Sequence, residues 1–200
     1  MSKSPVHISK MSGKLEGFRS ISVNTVTNPF CQRMNKTDTI CGKCYSMSML
    51  TTYRKNTAPA LQRNSDLLSS RVLKTDELPH IVDVYFRFDS HGELINATHF
   101  RNYVKIAEHN PHTTFALWTK RRDIVSQYCK RWPMPDNMIL IFSNPQIDKV
   151  MDTPPRFFDR VFNNVTDKYE GEANCTGQKC KDCLLCYKWH TTDVIVEHVK

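Results

Sequence analysis

The chain has no hydrophobic stretch able to cross a bilayer. Its longest purely apolar run is Met138-Ile-Leu-Ile-Phe142, whereas a membrane-spanning helix needs about 20 such residues. No secretory leader is legible at Met1-Ser-Lys-Ser-Pro5, because no apolar segment follows the lysine. A cytoplasmic protein with no membrane partner is therefore expected. No internal repeat and no low-complexity segment is visible, which excludes solenoids and tails. Nor is there a block of one charge. The formal charge is +8, but the densest basic patch, Lys120-Arg121-Arg122, is three residues long. That pattern reads as a solvated basic surface, and only weakly as a nucleic-acid groove.

What the sequence does have is cysteine, eight in 200 residues. This length supports one core, so a single domain over 1–200 is expected, with a Cys-rich segment at 171–190. In a reducing compartment these thiols point to metal or redox chemistry and not to disulfides. The Asn-x-Thr triplets at Asn35, Asn96, Asn164 and Asn174 are then chance matches.

Cys31, Cys41 and Cys44 stand after a strand-like run, Ile21–Val26, with spacings of nine and two residues and Gly42 between the last pair. Two thiols separated by two residues can turn around one metal ion or one cluster corner. A trio that leaves one tetrahedral position open fits a reactive centre better than a staple. An iron–sulfur cluster is the first reading; zinc completed by a distant ligand is the alternative. Cys175, Cys180, Cys183 and Cys186 can complete a second site unaided, iron–sulfur or zinc, or one of them can be the trio's fourth ligand. A four-iron core on each group would leave the chain at about +5. Cys129 follows the apolar Ile124, Val125 and Tyr128 on a helix, and reads as a core thiol. His91 and His190 are ligand or proton-donor candidates whose structural reading is favoured; His99, His109 and His112 read as solvated helix-end residues.

The remaining pattern is alternation. After an irregular lead-in of twenty residues, strands are expected at Ile21–Val26, Val82–Phe88, Thr114–Trp118, Asn137–Phe142 and Asp193–Glu197, with Phe157–Asn163 a weaker strand or short helix. Helices are expected over Tyr45–Asn56, from Pro59 onward with Leu61, Ser65 and Leu68 on one face, over Thr98–His109 and over Asp123–Arg131. Strand–helix alternation predicts an α/β fold with a parallel sheet, a small or partial (β/α) barrel, with a doubly wound open sheet as competitor. In a barrel the loops after the strands share one rim. That would gather the Cys31–Cys44 loop, Asp89–Glu93, Thr119–Arg121, Ser143–Asn144 and the Cys-rich loop.

Cys31 with the later Cys41-x-x-Cys44-Tyr45, then Arg63-Asn64, Gly92-Glu93, Phe115-Ala-Leu-Trp-Thr-Lys120, Pro135, Asn137 and the four-Cys tail together resemble the phage gene-product-88 family, over roughly Pro29 to Tyr187. More distantly the chain is similar to the radical S-adenosylmethionine superfamily. That likeness implies a partial barrel with a 4Fe-4S cluster on Cys31, Cys41 and Cys44, and Gly92-Glu93 holding the amino group of S-adenosylmethionine. The first spacing here is nine where that superfamily has three, and its Gly-Gly-Glu segment is His91-Gly92-Glu93. The family resemblance also implies a phage origin and residence in the host cytoplasm. Three functions follow: an open-iron cluster protein, in one form an enzyme on S-adenosylmethionine or another small molecule; an electron carrier or redox sensor; and a zinc-stabilised nucleic-acid-binding module.

Overall fold

A computed structural model describes residues 4–199. Alternating side chains organise it. In β3 (Tyr85–Phe88), Phe86 and Phe88 face one way while Tyr85 and Arg87 face the other. The neighbouring strand β4 (Thr114–Thr119) divides Phe115 and Leu117 from Ala116 and Trp118 in the same manner. Two cores result, one on each side of a single sheet.

That sheet has seven strands. Besides β3 and β4 it holds β1 (Ser9–Lys10), β2 (Arg19–Ile21), β5 (Met138–Ile147), β6 (Arg160–Val165) and β7 (Val194–His198), ordered in space as in sequence. β1 runs antiparallel to β2, and every later pair is parallel. A doubly wound sheet reverses its strand order at a switch point; here nothing reverses, so that alternative is excluded. The expected α/β class holds. Helices α3 (Ala58–Ser70), α4 (Ala97–His109) and α5 (Arg122–Cys129) lie side by side over the face carrying Phe86, Phe88 and Phe115.

The sheet is bent. Neighbouring strands lie about 4.8 Å apart, so β2 and β7 would stand about 24 Å apart in a flat sheet. Yet Lys14, in the turn between β1 and β2, bonds the carboxylate of Glu197 on β7. The side opposite the helices is therefore concave. Its ends are joined by side chains, while strand order leaves β1 and β7 as edges.

Several expected boundaries moved, each for a local reason. The strand expected from Val82 begins at Tyr85 because its partner β4 begins at Thr114, whose amide donates to the Val84 carbonyl at 2.8 Å; the Val82 and Val84 side chains are exposed. The strand expected through Val26 ends at Ile21. Beyond it the backbone turns to side chains of α3: the Ser22 carbonyl accepts from Asn64, and the Asn24 amide donates to Ser65 Oγ at 2.9 Å. The weak Phe157–Asn163 segment is the strand β6, and the irregular lead-in contains β1. Leu61, Ser65 and Leu68 are buried as expected. Cys129 is half-buried against the helix-side core.

His99 is a correction. It is fully buried, not solvated, because the turn of α4 that carries it faces the core beside Tyr103. Its Nδ1 accepts from the Ile95 amide at 3.2 Å, and Nε2 has no partner. Burial lowers its pKa to about 3. The unfolded chain then takes up a proton near pH 6.5 that the folded chain refuses, so this residue costs stability as pH falls from 6.5 toward 3. At pH 5 the cost is about 2 kcal/mol. Urea midpoints at pH 7.5 and 5 are expected to differ less in His99→Gln than in the parent; an identical pH slope would refute this.

Candidate metal centres and the concave face

Cys31 lies in α1 (Pro29–Met34), not in an open polar loop. Asn28 starts this helix: its Oδ1 accepts from the Phe30 and Cys31 amides at 2.9 and 3.3 Å, with Pro29 in the first turn. The Asn28 amide nitrogen donates to the Glu93 carbonyl at 2.7 Å, tying α1 to the loop after β3. Cys41 sits in a 3₁₀ turn, Ile40–Lys43, capped by Thr39 and packed on β5. Gly42 is required there, since a Cβ would run into the Thr37 carbonyl. Cys44 then precedes α2 (Tyr45–Thr51) as its cap residue. Three short elements thus bring three thiols to the rim at the strand ends.

These thiols sense one another. Burial raises the Cys31 thiol, with Glu93, Cys44 and Cys41 adding and Lys120 opposing. Burial also raises Cys41, which Lys120 counters. Cys31, Cys41, Cys44, Glu93 and Lys120 therefore form one neighbourhood. Among the described residues, though, no three Cys, His, Asp or Glu side chains converge closely enough to hold a single metal ion.

Glu93 is buried beneath this rim. Its Oε1 accepts from the Leu94 amide at 2.8 Å and from Thr119 Oγ1, and its Oε2 from the Lys120 amide at 2.8 Å. The carboxylate thus braces the ends of β3 and β4, with acceptor capacity left on Oε2. Gly92 has φ +83°, and Val23 fills the space where its side chain would be. His91 is buried with Nδ1 2.8 Å from Ser46 Oγ, the structural reading of that residue. His190 is exposed in a left-handed turn, φ +58°. His109 and His112 are exposed as expected.

The second cysteine group lies over the concave face. Tyr187 is buried on the concave face, its ring 4.5 Å from Phe18, 5.6 Å from Trp118 and 6.1 Å from Tyr85, the first residue of β3. Arg160, the first residue of β6, donates to the carbonyls of Leu185 and Lys188. The segment therefore folds over the concave face, Tyr187 touching both Tyr85 at the start of β3 and Trp118 near the end of β4. Cys175 bridges alongside Glu197 of β7, and α6 (Cys180–Cys183) packs beside the Lys14 turn.

Cations ring these four thiols. Lys14 Nζ is 3.0 Å from Cys175 Sγ. Burial raises Cys180, opposed by Arg87 and Lys14. Burial pushes Cys186 up to about 12, opposed by Arg87 and Arg160. The strongest thiol influences on Cys31, Cys41, Cys175, Cys180 and Cys186 each come from the residue's own group.

Sequence reading missed Lys14, Arg160 and Arg87 as parts of this face. Arg87 carried a usable signal: a cation between Phe86 and Phe88 in a strand must point away from their core.

No helix among the described residues is long and apolar enough to cross a membrane. The family model described as gene product 88 matches residues 21–193. No curated protein and no solved structure matches the chain.

Proposed function

We propose an iron–sulfur protein as the function of this chain, which belongs to the phage gene product 88 family. The observation that carries the reading is the grouping of Cys31, Cys41 and Cys44 at the ends of parallel strands, with Lys120 beside them. Three thiols suit the soft-ligand preference of a cluster and leave one iron without a protein thiolate. Such a cluster supplies electron transfer, or Lewis-acid chemistry at the open iron. Around it, α1 and the 3₁₀ turn hold the thiols, and Lys120 offsets the charge of three thiolates. The sheet that carries the site is read as an open (β/α) barrel, and the host cytoplasm as its location.

The quartet is read as a separate centre. Four thiolates around a dication, or around a four-iron core, carry about −2. Lys14 and Arg160 are placed to balance such a charge. Iron or zinc fits this donor set. Cys183→Ala combined with Cys186→Ala is expected to lower metal content by one centre and leave the trio's spectrum in place. Loss of all iron from that variant would mean one shared cluster.

Metal analysis of anaerobically purified protein tests the whole reading. Brown protein with iron and visible absorption supports it; stoichiometric zinc without iron selects the zinc-stabilised module, whose positive surface would then meet nucleic acid. S-adenosylmethionine is the finer proposal. The free acceptor capacity of Glu93 Oε2 suits an amino group, and binding to iron-loaded protein separates an enzyme from a carrier or sensor.

A further inference from the structure

We propose that the concave face between the two cysteine groups binds a small oxyanion, a carboxylate or a phosphate, on Arg87 and Lys120. Arg87 projects from the middle of the sheet and makes no ion pair among the described residues. Its Nε is buried without a hydrogen-bond partner. Its guanidinium lies 3.9 Å over the Trp118 ring, a contact that orients the group and satisfies none of its five N–H donors. Burying a cation so poorly partnered is costly unless something else neutralises it.

A second orphan lies next to the first. Tyr187 packs on the same Trp118 ring, with its buried hydroxyl beside the Arg87 guanidinium and in no well-formed hydrogen bond. Lys120 lies one residue past the end of β4, and both it and Arg87 act on the Tyr45 phenol; among the described residues its ammonium donates to the Ser143 hydroxyl, at 2.9 Å. The nearby carboxylate, Glu93, takes the Lys120 backbone amide and not its side chain.

The space beside Arg87 is lined by small residues. Its register partners are Ser20 on β2 and Ala116 on β4. Ser20, Ser22 and Ser90 hydroxyls bond one another at 2.9–3.0 Å, which keeps this wall polar and low. Two cations, a phenol donor and serine hydroxyls are the complement of a small oxyanion.

The inference does not rest on the iron–sulfur reading, because none of these groups is a cysteine. Full-length protein, as purified and after chelation, is titrated with inorganic phosphate and separately with succinate, against chloride at equal ionic strength. Calorimetry and thermal unfolding are both read. Saturable binding of one anion with a rise in Tm is expected, and the anion that binds identifies phosphate or carboxylate as the ligand class. Arg87→Met and Lys120→Met are each expected to weaken that binding roughly 10- to 150-fold, the range for one lost charged hydrogen bond. In the absence of anion, Arg87→Met is expected to unfold at the parent's temperature or above it, since it removes an unpaired buried charge. No saturable binding of either anion would overturn the proposal, as would unchanged affinity in both variants. Loss of quartet metal from Arg87→Met, with anion binding intact, would overturn it too, assigning Arg87 to the thiolates instead. Metal content is measured in parallel, so an iron-free protein that binds phosphate refutes the cluster and keeps this site.

Discussion

Cys31→Ala, Cys41→Ala and Cys44→Ala are each expected to yield protein with about four fewer iron atoms per chain than the parent after identical anaerobic reconstitution. The loss should be nearly complete because no substitute is at hand. The nearest other anionic group, Glu93, is committed to the Leu94 and Lys120 amides and to Thr119. Each cysteine also owes its position to a different element: α1 capped by Asn28, the Thr39-capped turn, and the cap of α2. A thiol from elsewhere would have to displace one of them. Cys129→Ala, against the helix-side core, is expected to keep its iron. Far-UV circular dichroism controls for unfolding, and unchanged iron in all three trio variants would sink the assignment.

Gly92→Ala is expected to destabilise the fold by about 2–5 kcal/mol, combining overpacking with a left-handed backbone. At φ +83° an added Cβ would meet Val23 Cγ2 and come within 2.6 Å of the Val23 carbonyl oxygen. Neither side yields easily. The Val23 amide donates to the His91 carbonyl at 3.2 Å, and the Gly92 amide donates to Thr25 Oγ1 at 2.8 Å. Relief at one contact breaks the other. In a chain of this length the loss corresponds to a Tm lower by about 5–15 °C. A variant melting within a degree of the parent would show that the loop after β3 adjusts freely. That outcome would also weaken the case for Glu93 as a fixed brace.

The trio was legible because spacing alone announces it: Cys41 and Cys44 flank a glycine, and Cys31 follows a strand-like run. The α/β class was legible from alternation, since Phe100, Tyr103, Val104 and Ala107 recur at helical intervals while Phe115 and Leu117 alternate. Other features depend on single long-range partners that no local pattern encodes. The Cys-rich segment covers the concave face because Tyr187 fits against Phe18 and Trp118, and because Arg160 finds two carbonyls there. His99 looked like a polar helix-end residue, yet it lies on the stripe that packs against Tyr103. Strand ends followed neighbours more than composition: Val82 is a β-former left outside the sheet because β4 starts at Thr114, whose amide reaches back to the Val84 carbonyl.

The identity between the order of strands in space and their order along the chain bears on how the protein is made. Each strand from β2 to β6 meets its partner in the segment the ribosome has just released, so the sheet can lengthen one unit at a time during synthesis. Contacts that break this rule include Lys14 with Glu197 and Phe18 with Tyr187, which join the first twenty residues to the last fourteen. They must form last. Until then the face bearing Arg87 stands uncovered, so the interval before the Cys-rich segment docks is when metal and small molecules have the freest entry.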